Sequence, residues 1–99
     1  GYLCAITPVN VFFIARKEIQ RKQALKMMND LMDTFEISPV NQDILRSALQ
    51  LETKDFEDAV QIASALASGL DFIVTRDVKD FVNSSIRVMS PAEFVKELQ

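Results

Sequence analysis

The sequence predicts an α/β protein of three layers, α/β/α, in which helices cover both faces of a small parallel sheet. Short apolar runs alternate along the chain with stretches of helical periodicity, as is typical of parallel strands joined by right-handed helical crossovers. The run from Phe72 to Val74 is apolar at every position, as in a strand covered on both faces. Ser90, Pro91 and Glu93 form a strong helix start near the end of the chain.

The first part of the chain predicts one strand and two helices. The apolar run at residues 3–6 is expected to be a buried strand. Because Thr7 precedes Pro8, Thr7 is predicted to cap a helix that begins at Pro8. A second helix is predicted over residues 20–32. The apolar residues expected to face the core from these two helices are Val11, Phe12, Ile14, Leu25, Met28, Leu31 and Met32.

Two shorter elements are predicted in the middle of the chain. Residues 34–37 form the second predicted strand, and Ser38 and Pro39 interrupt the chain after it. Asn41 is the predicted cap of a short helix. The apolar residues of that helix are Ile44, Leu45, Ala48 and Leu49.

The later elements begin with a helix rich in small residues. Asp55 is its candidate N-cap, Asp58 lies three positions on, and Gly69 stands where a glycine ends a helix. The predicted apolar face comprises Phe56, Ala59, Val60, Ala63, Leu66 and Ala67. Strands are predicted over residues 70–75 and 86–89. The last helix is expected to be buried through Phe94, Val95 and Leu98.

The composition fits one globular domain over residues 1–99. The chain is 48% hydrophobic and 25% charged, and no apolar run approaches the roughly 18 residues that a membrane-spanning helix needs. The single cysteine, Cys4, excludes a disulfide scaffold and fits a reducing compartment, so a cytoplasmic location is expected. The chain has no histidine, which excludes serine–histidine triads and histidine-bound zinc.

Charge is unevenly distributed along the chain. The net charge of −3 does not favour bulk binding of nucleic acid. A group of basic residues nevertheless falls between positions 16 and 26: Arg16, Lys17, Arg21, Lys22 and Lys26. This group is either a solvated helix face or a surface that contacts an anionic partner.

Several oxygen-bearing side chains are predicted to meet at one edge of the sheet. In a parallel α/β layer, helix starts lie at the same edge as the carboxyl ends of the strands. This rule brings together Asn10, Asp55, Asp58, Asp77 and Asp80. Clustered carboxylates repel one another unless a cation lies between them, and oxygen ligands suit Mg²⁺ or Mn²⁺. Taken singly, each of these residues also fits a structural role as a helix cap, a dipole partner, a turn former or a solvated side chain, and Thr75 is also simply the last residue of a predicted strand.

The segment from Asp55 to Phe81 resembles the C-terminal half of PIN-domain proteins. In that family an Asp-Ala pair, here Asp58 and Ala59, opens a helix rich in small residues that ends at a glycine, here Gly69. A strand then leads into Thr-Arg-Asp-x-x-Asp-Phe, which stands here at residues 75–81. The ending at residues 89–94 and the order of elements are also similar, so the resemblance covers essentially the whole chain.

The resemblance implies a Mg²⁺- or Mn²⁺-dependent ribonuclease, with RNA as substrate, possible membership of a toxin–antitoxin pair, and an antitoxin protein as partner. Asp58 and Asp77 match the family's third and fourth acidic positions and are the implied catalytic cation ligands. The remaining implied site residues are Asp80 as a further metal ligand, Asn10, Asp55 and Thr75 in supporting roles, and Arg16, Lys17, Arg21 and Lys22 as RNA contacts.

The chain departs from the family pattern at two positions. The family has Glu in a Thr-x-x-Glu pattern where residues 7–10 end in the neutral Asn10, so cation affinity is expected to fall. The family also begins with a central strand ending in Asp-Thr-Asn, and nothing before Leu3 matches it. We therefore expect an N-terminally truncated PIN fold, weak cation binding, little or no nuclease activity of these residues alone, and homo-oligomers that cover unpaired strand edges.

Two other functions compete with the nuclease. A non-catalytic PIN-like module that binds a partner protein is favoured by the neutral Asn10 and by the absent first acid. A receiver-like domain that accepts phosphate also gathers acids at strand ends. It needs an acid pair after its first strand and a lysine after its last, and the sequence has neither arrangement.

Overall fold

The computed structural model describes residues 1–81 and 86–98, apart from the side chain of Asp80. The strands are β1 (Tyr2–Cys4), β2 (Glu36–Ser38), β3 (Phe72–Val74) and β4 (Arg87–Met89). The helices are α1 (Ile6–Ala15), α2 (Arg21–Thr34), α3 (Gln42–Gln50), α4 (Phe56–Ser68) and α5 (Pro91–Leu98), and a 3₁₀ turn spans Val78–Phe81. The predicted α/β class is confirmed.

The strands form two parallel pairs instead of one continuous sheet. In the first pair Leu3 of β1 lies opposite Ile37 of β2, and in the second Ile73 of β3 lies opposite Val88 of β4. Within the described residues no strand ladder joins the two pairs. They meet beside Tyr2, whose carbonyl accepts a hydrogen bond of 3.0 Å from the Asp71 N–H and whose N–H donates to the Asp71 carboxylate. We call this boundary between β1 and β3 the seam.

Successive strand residues point to opposite faces, and each face is covered by helices. Leu3 and Val74 pack with Val11, Leu31 and Phe94, which come from α1, α2 and α5. On the other face, Cys4 and Ile73 pack with residues of α3 and α4: Ile44, Ala48, Ala59, Val60 and Ala63. The result is the predicted arrangement of helices on both faces of short parallel strands.

Three predicted helix caps are present. The Asn41 side chain accepts a hydrogen bond of 3.0 Å from the Ile44 N–H, and that of Asp55 accepts one of 2.8 Å from the Glu57 N–H. At α5, Ser90 Oγ accepts from the Glu93 N–H at 3.1 Å, while the Glu93 carboxylate accepts from the Ser90 N–H at 3.0 Å. Gly69 follows α4 with a φ of 79°, which favours glycine.

The predicted start of α1 is wrong. The helix begins at Ile6, and Thr7 lies inside its first turn instead of capping it. Pro8 is compatible with this earlier start because the N–H groups of a first turn have no partner within the helix. None of the helices in the described part of the chain combines the length and the apolar character needed to cross a membrane.

Several apolar side chains predicted to face the core are exposed. They are Leu25, Met32, Leu45, Leu49, Phe56, Leu66 and Ala67. On α2 the buried stripe is Ala24, Met27 and Leu31, so it is rotated by about one residue from the predicted stripe, with which it shares Leu31. α4 has 13 residues and a length of about 20 Å, whereas a three-residue strand spans about 10 Å. Leu66, in the last turn of α4, is 78% exposed, although Ser68 of the same turn hydrogen-bonds Ser38 of β2.

Candidate metal centre

Three aspartates converge where α4 begins and β3 ends. Asp55 caps α4, Asp58 lies in its first turn, and Asp77 follows β3. Each offers one carboxylate oxygen that lies within 4.8 Å of those of the other two. This is the meeting of helix start and strand end expected of an α/β layer, and it places Asp58 and Asp77 side by side.

Asp58 is the buried member of this acidic cluster. Its residue surface is 6% exposed, whereas Asp77 is exposed. Burial raises the pKa of the Asp58 carboxyl, a hydrogen bond from the Thr75 hydroxyl lowers it, and the charges of Asp55, Asp77 and Glu57 raise it further. The balance is an elevated pKa, because the site holds negative charge in a poorly solvated place.

Thr75 links the two predicted ligands. Its side chain hydrogen-bonds the Asp58 carboxylate, and its Oγ1 accepts a hydrogen bond of 3.0 Å from the Asp77 N–H. Thr75 is 4% exposed, so this link lies within the protein and not on its surface. Thr75 therefore holds the end of β3 against the first turn of α4.

The donor set suits a small, hard divalent cation. Mg²⁺ binds oxygen at about 2.0–2.1 Å, so two oxygens on one ion are at most about 4.2 Å apart. The three carboxylate oxygens lie within 4.8 Å of one another, so a decrease of less than about 1 Å in the longest separation brings all three within reach of one ion. Carboxylates without nitrogen or sulfur ligands fit Mg²⁺ or Mn²⁺ better than zinc.

A cavity of about 450 Å³ opens beside the acidic cluster and includes Asn10. Other polar residues on its walls are Thr7, Asp55, Glu57, Asp58, Thr75 and Arg76. A second cavity of about 700 Å³ lies next to the same cluster and is lined by Lys54, Asp77 and apolar residues of α4. Asp55 and Asp58 line both cavities, whereas Asn10 lines the first and Asp77 lines the second.

The other predicted site residues lie apart from this centre or outside the described structure. Arg16, Lys17, Arg21 and Lys22 are exposed at the end of α1 and the start of α2. Arg16 is six positions beyond Asn10, about 9 Å farther along the helix direction. The side chain of Asp80, predicted as a further metal ligand, lies outside the described residues.

Sequence analysis missed four residues at the site. Arg76 and Lys54 bring positive charge to the two cavities. The position of Arg76 between Thr75 and Asp77 was the signal for it. Gln61 and Thr7 are buried polar residues that hydrogen-bond each other, and a long polar side chain between Val60 and Ile62 was the signal for Gln61.

A sequence model of the PIN domain matches residues 1–79. The chain belongs to the PIN-domain family. This PIN domain is 29% identical over 89 residues to a protein named Ribonuclease VapC1 from Aquifex aeolicus (strain VF5). The match covers 85% of the chain and 60% of the relative, so the PIN domain spans about three fifths of that relative's length. The sequence of this chain matches no solved structure.

Proposed function

We propose that the protein is a ribonuclease that hydrolyses RNA phosphodiester bonds with the help of Mg²⁺ or Mn²⁺. The observation that carries this proposal is the convergence of Asp55, Asp58 and Asp77 at one edge of a PIN domain. The name of its VapC1 relative supports RNA as the substrate. A place in a toxin–antitoxin pair, with an antitoxin protein as partner, is the part of the proposal that rests on the resemblance to the PIN family.

In this proposal Asp58 and Asp77 hold the cation, Asp55 is the third carboxylate of the same cluster, and Asn10 lines the adjoining cavity. A divalent cation bound there supplies an activated water molecule and neutralises charge on the phosphate. Thr75 orients the Asp58 carboxylate toward the cluster. The Asp80 side chain, four residues after Arg76, is a further proposed ligand.

Positive side chains provide the RNA contacts of the proposal. Arg76 lines the cavity next to the acidic cluster, where a planar guanidinium suits a phosphate group. Arg16, Lys17, Arg21 and Lys22 are exposed farther along the surface and attract the nucleic-acid backbone over a longer range. RNA binding through these residues is therefore expected to weaken as salt is added.

A weak cation site is part of the proposal. Asn10 contributes an amide oxygen without charge, and only one of the three carboxylates is buried. Cation affinity and cleavage by these 99 residues alone are therefore expected to be low. The expected cytoplasmic location is supported by Cys4, which is a free, buried thiol.

The neutral Asn10 also favours a second candidate function, a non-catalytic PIN module that binds a partner protein. Such a module retains the fold and the exposed apolar side chains without needing the cation. The two functions differ in a direct measurement, because only the nuclease loses an activity when Asp58 is neutralised.

The test compares Asp58→Asn with Asp33→Asn, which removes the same charge from an exposed position on α2. Mn²⁺ binding is followed by electron paramagnetic resonance, and cleavage of a labelled single-stranded RNA is followed on gels. We expect Asp58→Asn to lower Mn²⁺ affinity about tenfold or more and to abolish the low cleavage of the unaltered protein, with Asp33→Asn close to the unaltered protein.

Two results would count against the nuclease. Cleavage that persists in Asp58→Asn removes Asp58 from the mechanism. A protein that binds no Mn²⁺ at any concentration, and cleaves no RNA, supports the partner-binding module instead.

A further inference from the structure

Gln61 occupies the place of a neighbouring strand beside β3. Its side-chain Nε2 donates a hydrogen bond of 2.8 Å to the Val74 carbonyl, and its Oε1 accepts one of 3.1 Å from the Val74 N–H. A side-chain amide that both donates to and accepts from the backbone of one residue forms the same two hydrogen bonds as a paired residue on a neighbouring strand. β4 pairs with β3 on the other side, where the Thr75 N–H donates to the Met89 carbonyl at 3.0 Å.

The same side chain reaches a third element. The hydroxyl of Thr7 on α1 donates to Gln61 Oε1 at 3.5 Å. Gln61 is 1% exposed and Thr7 is 2% exposed, so water does not compete for these bonds. Gln61 therefore connects α1, α4 and β3 inside the protein.

Each connected element carries a residue of the candidate metal centre close to the connection. Asp58 precedes Gln61 by three positions and lies on the same side of α4. Thr75 directly follows Val74, and Asp77 lies two positions after Thr75. Asn10 follows Thr7 by three positions on α1. A shift of Gln61 thus changes the distances among all three parts of the centre.

We propose that Gln61 is a positioning residue, which sets the separation of Asp58, Asp77 and Asn10 by pairing with the Val74 peptide and the Thr7 hydroxyl. This inference rests on the proposed function, because it concerns the same cation site. Gln61 does not touch the cation. It acts through the spacing between the first turn of α4 and the end of β3.

The test uses Gln61→Met, which keeps the length of the side chain and removes its hydrogen bonds. Ser38→Ala is the matched control, since Ser38 is 5% exposed and its Oγ bonds Ser68 Oγ at 2.7 Å. Ser68 is at the other end of α4, about 15 Å along the helix from Asp58. Both variants remove a polar link between α4 and a strand, which is buried for Gln61 and partly buried for Ser38, so both are expected to lower the free energy of unfolding.

Mn²⁺ affinity separates positioning from simple stabilisation. Under conditions where circular dichroism shows each variant folded, we expect Gln61→Met to weaken Mn²⁺ binding about tenfold and Ser38→Ala to weaken it less than about twofold. Hydrogen exchange gives a second readout. The Val74 amide should lose protection in Gln61→Met, whereas the Thr75 amide, which bonds Met89, should keep it.

A second variant covers the case in which Gln61→Met does not fold. Thr7→Val keeps the shape of the Thr7 side chain and removes the hydroxyl that bonds Gln61 Oε1, and it too should weaken Mn²⁺ binding. Unchanged Mn²⁺ affinity in a folded Gln61 or Thr7 variant overturns this inference alone. Absence of Mn²⁺ binding by the unaltered protein overturns the proposed function and this inference together.

Discussion

The surroundings of Asp58 have two opposing effects on the pKa of its carboxyl when no cation is bound. Its carboxyl is buried beside other acids, which raises its pKa, yet the Thr75 hydroxyl is placed to stabilise the charged form. A group whose pKa is raised in the folded state adds stability when it is protonated and loses that contribution as the pH rises. Without a cation, ionised Asp58 therefore destabilises the fold at neutral pH.

Because the pKa of Asp58 is raised, the difference in free energy of unfolding between the unaltered protein and Asp58→Asn should depend on pH. Below the ordinary Asp pKa of 3.8 the two should be nearly equally stable, because Asp58 is protonated in both folded and unfolded chains. As the pH rises toward 7, Asp58→Asn should become the more stable of the two in the presence of a chelator. Urea unfolding at several pH values measures the difference.

Asp33→Asn serves again as the control, because it removes the same charge from an exposed position on α2. Added Mn²⁺ should raise the stability of the unaltered protein more than that of Asp58→Asn. A stability advantage of Asp58→Asn that shrinks as the pH rises would contradict the assigned direction of the pKa.

At the scale of the secondary-structure element, Asp55 has two roles at the start of α4. The Asp55 side chain accepts hydrogen bonds from the N–H groups of Glu57 at 2.8 Å and Asp58 at 3.4 Å, so it caps the helix. The same carboxylate belongs to the acidic cluster. Capping needs only an oxygen acceptor, whereas cation binding also needs the negative charge.

Two substitutions of Asp55 separate these roles. Asp55→Asn keeps a good cap and should change the free energy of unfolding by only a few tenths of a kcal/mol, whereas Asp55→Ala should lower it by about 1 kcal/mol. For a domain of this size, that loss corresponds to a decrease of about 4–8 °C in the melting temperature. Both variants should weaken Mn²⁺ binding in spectroscopic titrations. Equal melting temperatures for the two would show that the cap contributes nothing.

Features set by local sequence were predictable at this scale. The caps at Asn41, Asp55 and Ser90 depend on residues within three positions of each helix start, and all three are present. The start of α1 was missed because the Thr7 hydroxyl bonds Gln61, which is 54 positions away, instead of its own helix. Sequence spacing does not encode a partner at that distance.

The acidic cluster was also predictable from the order of the elements along the chain. Its members flank elements whose order is visible in the chain, and parallel topology brings those ends together. The role of Gln61 was not predictable, because pairing with Val74 requires the actual separation of α4 and β3. The exposed Leu49 and Leu66 were also missed, since helical periodicity identifies an apolar face but not whether another element covers it.

At the scale of the whole molecule, two features favour association between copies. β1 and β3 meet at the seam without a strand ladder in the described structure. Large apolar side chains are also exposed: Tyr2, Val9, Phe13, Leu25, Met32, Leu45, Leu49, Phe56 and Leu66. Strand edges and apolar surface of this kind are commonly covered by a second chain.

We expect the protein to self-associate as its concentration rises from about 1 to about 100 μM, as measured by sedimentation velocity. The double variant Leu49→Gln, Leu66→Gln should weaken this association, because these side chains are 71% and 78% exposed. The matched control is Glu52→Gln, a polar change at an exposed position between the same helices. A single monomeric species over the whole range would contradict the expectation.

The seam also divides the candidate metal centre. Asn10 belongs to the helix that follows β1, whereas Asp58 and Asp77 flank β3. An ion held by all three would fasten one strand pair to the other. By thermodynamic linkage, any change that separates β1 from β3 must then lower the affinity for the ion, and the ion must resist that separation by the same factor.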